Sequence, residues 1–165
     1  MSKTAQESSA STDWPSTAAT ESAESLERLA ADSYHLVTQI WSDAKLLVFE
    51  FNRDLAVRPD TPSLQAVSVE IEAGLMRLAS HLRAQIGFDL RLEVEYKRNP
   101  PQMIRTLRHI EQDGSTGLLI LCDSFHFALH EGMVALTVPD GSSTPSNEVA
   151  RALLEPLFNR LADAL

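Results

Sequence analysis

Leu26, Ala30, Tyr34, Val37, Ile40, Trp41, Ala44, Leu47, Val48, Phe51 and Leu55 follow one another at spacings of three and four residues. That period places them on one wide face of a helix, with Asp32, Gln39, Asp43, Glu50 and Arg53 on the opposite side. Within the series Tyr34, Trp41, Val48 and Leu55 recur every seven residues, the repeat of a coiled-coil or bundle seam, and these four are the candidate interaction residues. A rival reading takes Leu46 to Phe51 as a strand, because the run is apolar and includes Phe49 on what would be the polar side. The helix is the favoured reading.

Ahead of this helix, residues 1–22 are rich in Ser, Thr and Ala, with Pro15 and only Trp14 as a large side chain. Such a segment buries too little apolar surface to offset the entropy of ordering it, so it reads as a disordered tail before a single domain at 23–165. Behind the helix, Arg58, Pro59 and Asp60 form a breaker. Thr61 followed by Pro62 makes a helix opening, an N-cap hydroxyl and then a proline whose missing N–H costs nothing in the first turn. Leu64, Val67, Ile71, Leu75, Leu78, Leu82 and Ile86 mark the stripe of a second long helix, ended by Gly87 in a left-handed cap. The two helices are expected to pack as an antiparallel hairpin.

After Gly87 the period changes to two. Leu90, Leu92, Val94 and Tyr96 alternate with Arg91, Glu93, Glu95 and Lys97, the pattern of a half-buried strand. Asn99, Pro100 and Pro101 then open a short helix on Met103, Ile104, Leu107 and Ile110, closed by Gly114, and Leu118 to Leu121 form a buried strand. This strand–helix–strand unit is expected to be parallel and right-handed. From Phe125 to Val138 a hairpin turning at His130–Met133 is favoured over a helix, given the aromatic and β-branched content. A final helix begins near Pro145 and runs on Val149, Leu153, Leu154, Leu157, Phe158 and Leu161, with Pro156 expected to kink or shorten it. The fold class is therefore α+β: an N-terminal helical hairpin, a small mixed sheet and a C-terminal helix.

Charge narrows the partners. The chain of 165 residues carries 23 acidic against 14 basic side chains, a net charge of -9, which disfavours a general grip on phosphate backbones or anionic lipid. The nearest thing to a basic patch is Arg91, Lys97, Arg98, Arg105 and Arg108. A single cysteine, Cys122, cannot form an internal disulfide, and no apolar run approaches the ~20 residues of a membrane span; both point to the cytoplasm.

Two constellations carry possible chemistry. Glu95 and Lys97 are two apart on one strand and so share a face, where a carboxylate can hold a divalent metal and an ammonium can steady a scissile phosphate. Followed by a helix and a buried strand, Glu93-Val-Glu95-Tyr-Lys97 resembles the core motif of the PD-(D/E)XK nuclease superfamily. The resemblance covers about residues 88–122 and implies Glu95 as metal ligand and Lys97 as catalytic lysine. The family's upstream acid has only Asp60 and Asp89 as counterparts. The second constellation is Cys122, His126 and His130, spaced by four, which on a helix would line one face and offer thiolate and imidazole to zinc. The unit also resembles ligand-sensing α/β domains, whose site lies at the carboxyl ends of parallel strands, here near Arg98, Asn99, Cys122 and Asp123. No nucleophile elbow or phosphate-binding glycine loop is present. The function expected from the whole is a non-enzymatic, cofactor-free protein-interaction module, self-associating through its long N-terminal helices. A metal-dependent nuclease-like subunit and a small-ligand sensor are the alternatives.

Overall fold

The computed structural model describes residues 14–57, 65–130, 133–137, 143–144 and 146–165. It is an α+β fold in which one antiparallel meander is flanked in sequence by two helices. Helix α1 spans Trp14–Ala56, and strands β1 (Val67–Glu72) and β2 (Leu75–Ser80) follow. The short helix α2 (Arg83–Ile86) leads to β3 (Asp89–Arg98), β4 (Pro101–Ile110), β5 (Thr116–His130), β6 (Met133–Thr137) and β7 (Ser143–Thr144), and α3 (Ser146–Ala164) ends the chain. The seven strands lie in sequence order, each antiparallel to the next.

Both long helices cover the same side of the sheet. Val37, Ile40, Trp41, Ala44, Val48 and Leu55 of α1 and Val149, Leu153, Leu154, Leu157 and Leu161 of α3 share one core with Met76, Leu78, Leu90, Leu92, Val94, Met103, Leu107, Phe125 and Leu136 of the strands. Each of the Val, Leu, Ile, Met and Phe side chains among these contributes roughly 1.5–3 kcal/mol when withdrawn from water. The other side of the sheet carries Glu70, Arg77, Glu93, Glu95 and Lys97. Arg77 lies between Glu93 (2.8 Å) and Glu70 (3.6 Å), cross-strand neighbours on β3 and β1. The hydrogen bond that Arg77 donates to the Glu93 carboxylate raises the Arg77 pKa above its ordinary value.

Several expectations are corrected. The second long helix does not form. Val67–Ser80 is instead a β-hairpin in which Glu72 pairs with Leu75, and Gly74 turns the chain at φ +89°, a conformation strained for any residue with a Cβ. The hairpin of helices is thus a helix followed by a hairpin of strands, and the breaker at 58–60 and the helix opening at Thr61 lie outside the described residues. Gly87 does adopt the left-handed conformation (φ +85°), but as the cap of the four-residue α2. The short helix on Met103–Ile110 is strand β4, so the parallel strand–helix–strand unit is absent and the sheet is antiparallel, not mixed. Strand β3, the pairing of β5 with β6 and the C-terminal helix stand as read. The β5–β6 turn, residues 131–132, lies outside the described residues. Helix α1 begins at Trp14, inside the segment that composition assigns to the tail.

Pro156 interrupts nothing in the extent of α3, and a side chain from the sheet explains how the gap is filled. Proline has no N–H, so it leaves the carbonyl four residues earlier, on Ala152, without its helical donor. Arg105 of β4 reaches that carbonyl with Nη1 at 2.7 Å and the Leu153 carbonyl at 3.2 Å. The same guanidinium pairs with Asp123, its cross-strand neighbour on β5, through Nε–Oδ1 at 2.9 Å and Nη2–Oδ2 at 2.5 Å. Its carbon also lies 4.9 Å from the centroid of the Phe125 ring. With every face engaged, an arginine 7% exposed is held inside the core. At the edge of the sheet, Asn52 of α1 donates to the Val67 carbonyl (2.8 Å) and accepts from the Val67 N–H (2.9 Å).

Candidate functional site

The seven-residue repeat on α1 belongs to the monomer's core. Trp41, Val48 and Leu55 are 7%, 2% and 4% exposed against the sheet and α3, so the apolar stripe read as an interaction seam is consumed in intramolecular packing; Tyr34 alone, at 54%, faces solvent. What α1 leaves outside is a different set. Leu46 and Phe49, at 58% and 62% exposed, are three apart and share the helix side turned away from the core, with Val57 just past the helix end. Phe49 is the residue whose misplaced apolarity had suggested a strand. In the helix it is a surface phenylalanine.

Beside this pole the outer surfaces of α1 and α3 meet in an open cleft of about 330 Å³. Leu47, Phe51 and Phe158 supply its apolar lining, and the rings of Phe51 and Phe158 stack at 4.4 Å with planes 5° apart. Glu50, Asp54 and Glu155 line it with carboxylates, and Arg151 adds a cation. Exposed apolar side chains also occur at the tips of two hairpins, Leu118 and Leu119 at one and Leu129 and Met133 at the other. Those on α1 lie within the helical segment, 46–54, whose neighbouring side chains Leu47, Glu50, Phe51 and Asp54 line the cleft.

The candidate catalytic pair is brought together but engaged with itself. Lys97 Nζ lies 2.5 Å from Glu95 Oε1, with both side chains almost half exposed on the solvent face of β3. The order that the nuclease resemblance requires is missing, because β3 is followed by an antiparallel strand and not by a helix. Asp89 accepts the N–H groups of Leu82 (3.1 Å) and Arg83 (3.0 Å) at Oδ1, and its Oδ2 faces Arg83 Nε at 3.2 Å, so it caps α2. Asp60 lies outside the described residues.

The candidate metal set is spread along one strand. Cys122 and His126 share the solvent face of β5, but four strand residues span about 13 Å, far beyond what ligands at ~2.0–2.3 Å from one zinc can bridge. His126 instead sits 3.3 Å from Ser124 Oγ. The His130 side chain lies outside the described residues, and no group of three metal-ligating side chains occurs among the described ones. The ligand-sensor edge dissolves with the parallel strands: Asp123 is held by Arg105, Cys122 is exposed on the opposite face, and Arg98 turns toward α1, where it lines a second cavity. No described helix is long and apolar enough to cross a membrane.

No protein-family model, curated protein or solved structure matches the chain.

Proposed function

We propose that the protein is a non-enzymatic interaction module that docks a partner protein on the outer surface of its helical layer. The observation that carries this reading is the exposed pair Leu46 and Phe49 on the same helical segment that lines the Phe51–Phe158 cleft. Helix α1 has already placed a full stripe in the core, so a second apolar set on its solvent side does nothing for the fold of the single chain. Adjacent apolar side chains next to a lined cleft are the anatomy of a small interface core with a polar rim. The side chains read as chemical are otherwise engaged, which supports binding over catalysis.

The test compares wild-type protein with the Leu46→Lys/Phe49→Glu variant in co-purification from the native cell, with light scattering on each eluate. Stoichiometric recovery of a partner, or of a second copy of the chain, that is lost in the variant while its circular dichroism and melting temperature stay unchanged is the expected result. Equal recovery by both proteins would sink the proposal.

A further inference from the structure

The geometry points to a second binding site, for a small aromatic carboxylate, in the cavity of about 240 Å³ between α1 and the end of β3. Ala30 and Ala31 form the helical side of this cavity, where larger side chains would fill it. Tyr34 and Tyr96 give it aromatic walls, their ring centroids 6.3 Å apart and their planes inclined by 56°. Arg98 and His35 complete the lining.

Hydrogen-bond accounting decides which ligand this lining fits. The Ser33 hydroxyl donates to the Ala30 carbonyl at 3.0 Å, which leaves its oxygen to accept from the Tyr96 hydroxyl at 2.8 Å. The Tyr96 hydroxyl lies 3.3 Å from the same carbonyl, so its proton is directed into the protein and its ring is held before any ligand arrives. Arg98 carries only donors, five N–H groups in a planar fork that matches a carboxylate, and it makes no ion pair among the described residues. The Tyr34 hydroxyl and the His35 ring can each donate one further hydrogen bond, and each can also accept one. Among the described residues no carboxylate lines the cavity, although acidic side chains outnumber basic ones by 23 to 14 in the chain. Asp32, on the same stretch of helix, is turned to Arg28 at 3.5 Å, and Glu27, one turn before Ala31, is not part of the lining.

A site with an unpaired guanidinium, no carboxylate among the described residues and two aromatic rings favours an anion with a flat apolar body. The rings offer edge and face contacts to that body, and the guanidinium offers a bidentate partner to its carboxylate. The volume lies just under the ~300–1,000 Å³ of pockets that take drug-sized ligands, so the ligand is small, with a dissociation constant on the order of 0.1–1 mM.

The test is an amide-resonance titration of the full chain with 4-hydroxybenzoate and, separately, with its neutral methyl ester. The expected result is saturable shifts confined to residues near 30–35 and 96–98, with the ester binding at least ~10-fold more weakly. Arg98→Gln is expected to weaken 4-hydroxybenzoate by about 10- to 100-fold, while Arg108→Gln, on the solvent face of the sheet, leaves it unchanged. Three results would overturn the assignment: equal binding of acid and ester, equal losses in the two arginine variants, or no localised shift at millimolar probe. The remaining resonances of Arg98→Gln report whether that variant keeps its fold.

Discussion

On the inner side of the sheet Arg105 meets Asp123 with side chains 8% and 20% exposed, whereas on the solvent side Lys97 meets Glu95 with side chains 46% and 47% exposed. Each pair is one cation and one carboxylate on neighbouring positions of the same meander. In sequence the outer pair looks chemical, because Glu-x-Lys on a strand matches a known catalytic spacing, whereas Arg105 and Asp123, one counted in a basic patch and the other at a ligand edge, do not look like a pair at all. The structure reverses their weight. The outer pair is screened by water and replaceable, while the inner one ties β4, β5 and the proline-broken turn of α3 into one unit. Spacing reports which side chains share a face; only the packing on that face determines what their charge does.

Replacing Arg105 breaks this comparison most sharply. Arg105→Leu leaves Asp123 partly buried without its cation and the Ala152 carbonyl without a donor, and is expected to cost about 3–5 kcal/mol in urea denaturation. Adding Asp123→Leu is expected to recover a good part of that loss, since two apolar neighbours suit the core better than one stranded carboxylate. A single variant that unfolds at the wild-type midpoint would mean that the pair is not buried in solution. Next come two neighbours in sequence that face opposite ways. Val48→Ala opens a cavity in the core and should cost about 2 kcal/mol, whereas Phe49→Ala should stay within about 0.5 kcal/mol. Equal costs would contradict the orientation of α1.

Glu95→Ala and Lys97→Ala belong to the exposed side and should each shift stability by less than about 1 kcal/mol. Calorimetric titration of the wild type with magnesium or manganese is expected to give the same absence of heat as the Glu95→Ala variant; a metal signal that depends on Glu95 would reopen the nuclease reading. The smallest effect concerns Asp113, in the β4–β5 loop. Its carboxylate accepts the Ser115 hydroxyl (2.6 Å) and N–H (2.9 Å), and the hydroxyl bond above all lowers its pKa. A carboxyl whose folded pKa is depressed stabilises the fold at neutral pH, and that contribution fades as pH falls through its folded value. Asp113→Asn should therefore melt slightly below wild type at pH 7 and match it in strong acid, in thermal scans across pH.

How far the sequence could be read depended on which residues occupied the inward positions. Strand β3 was legible because Leu90, Leu92 and Val94 all point inward and their neighbours are charged, and α3 because its apolar stripe has no strand-like alternative. Strand β4 was hidden by Arg105. The inward series Pro101, Met103, Arg105, Leu107 has a cation where alternation demands an apolar residue, so Met103, Ile104, Leu107 and Ile110 were left to suggest a helix. In Val67–Ser80 the error came from coincidence. Val67, Ile71, Leu75 and Leu78 satisfy a helical spacing, yet Val67, Val69 and Ile71 on one strand and Met76, Leu78 and Ser80 on the other alternate equally well, and Gly74 supplies the turn. The β-branched content of Val-Ser-Val-Glu-Ile-Glu was the discriminating signal. Of the candidate site, the exposed Phe49 was legible because it stood out against its helix, and Leu47 and Phe51 because they belong to the α1 stripe, but the far wall of the cleft came from α3, a contact that no local pattern encodes.

The amide of Asn52 presents to Val67 the donor and acceptor that a further strand would present. It therefore acts as a stopper at the open end of the sheet. Strand β1 is short and β-branched, and its outward edge is the kind of template on which other copies of a chain assemble; Glu70 and Glu72 discourage such pairing by charge and Asn52 by occupancy. The last turns of α1 thus occupy part of a strand edge as well as packing on the core. Were those turns to fray, the Val67 edge would be bared while the core still held, and a stretch of strand would be open to a second chain before the monomer had melted.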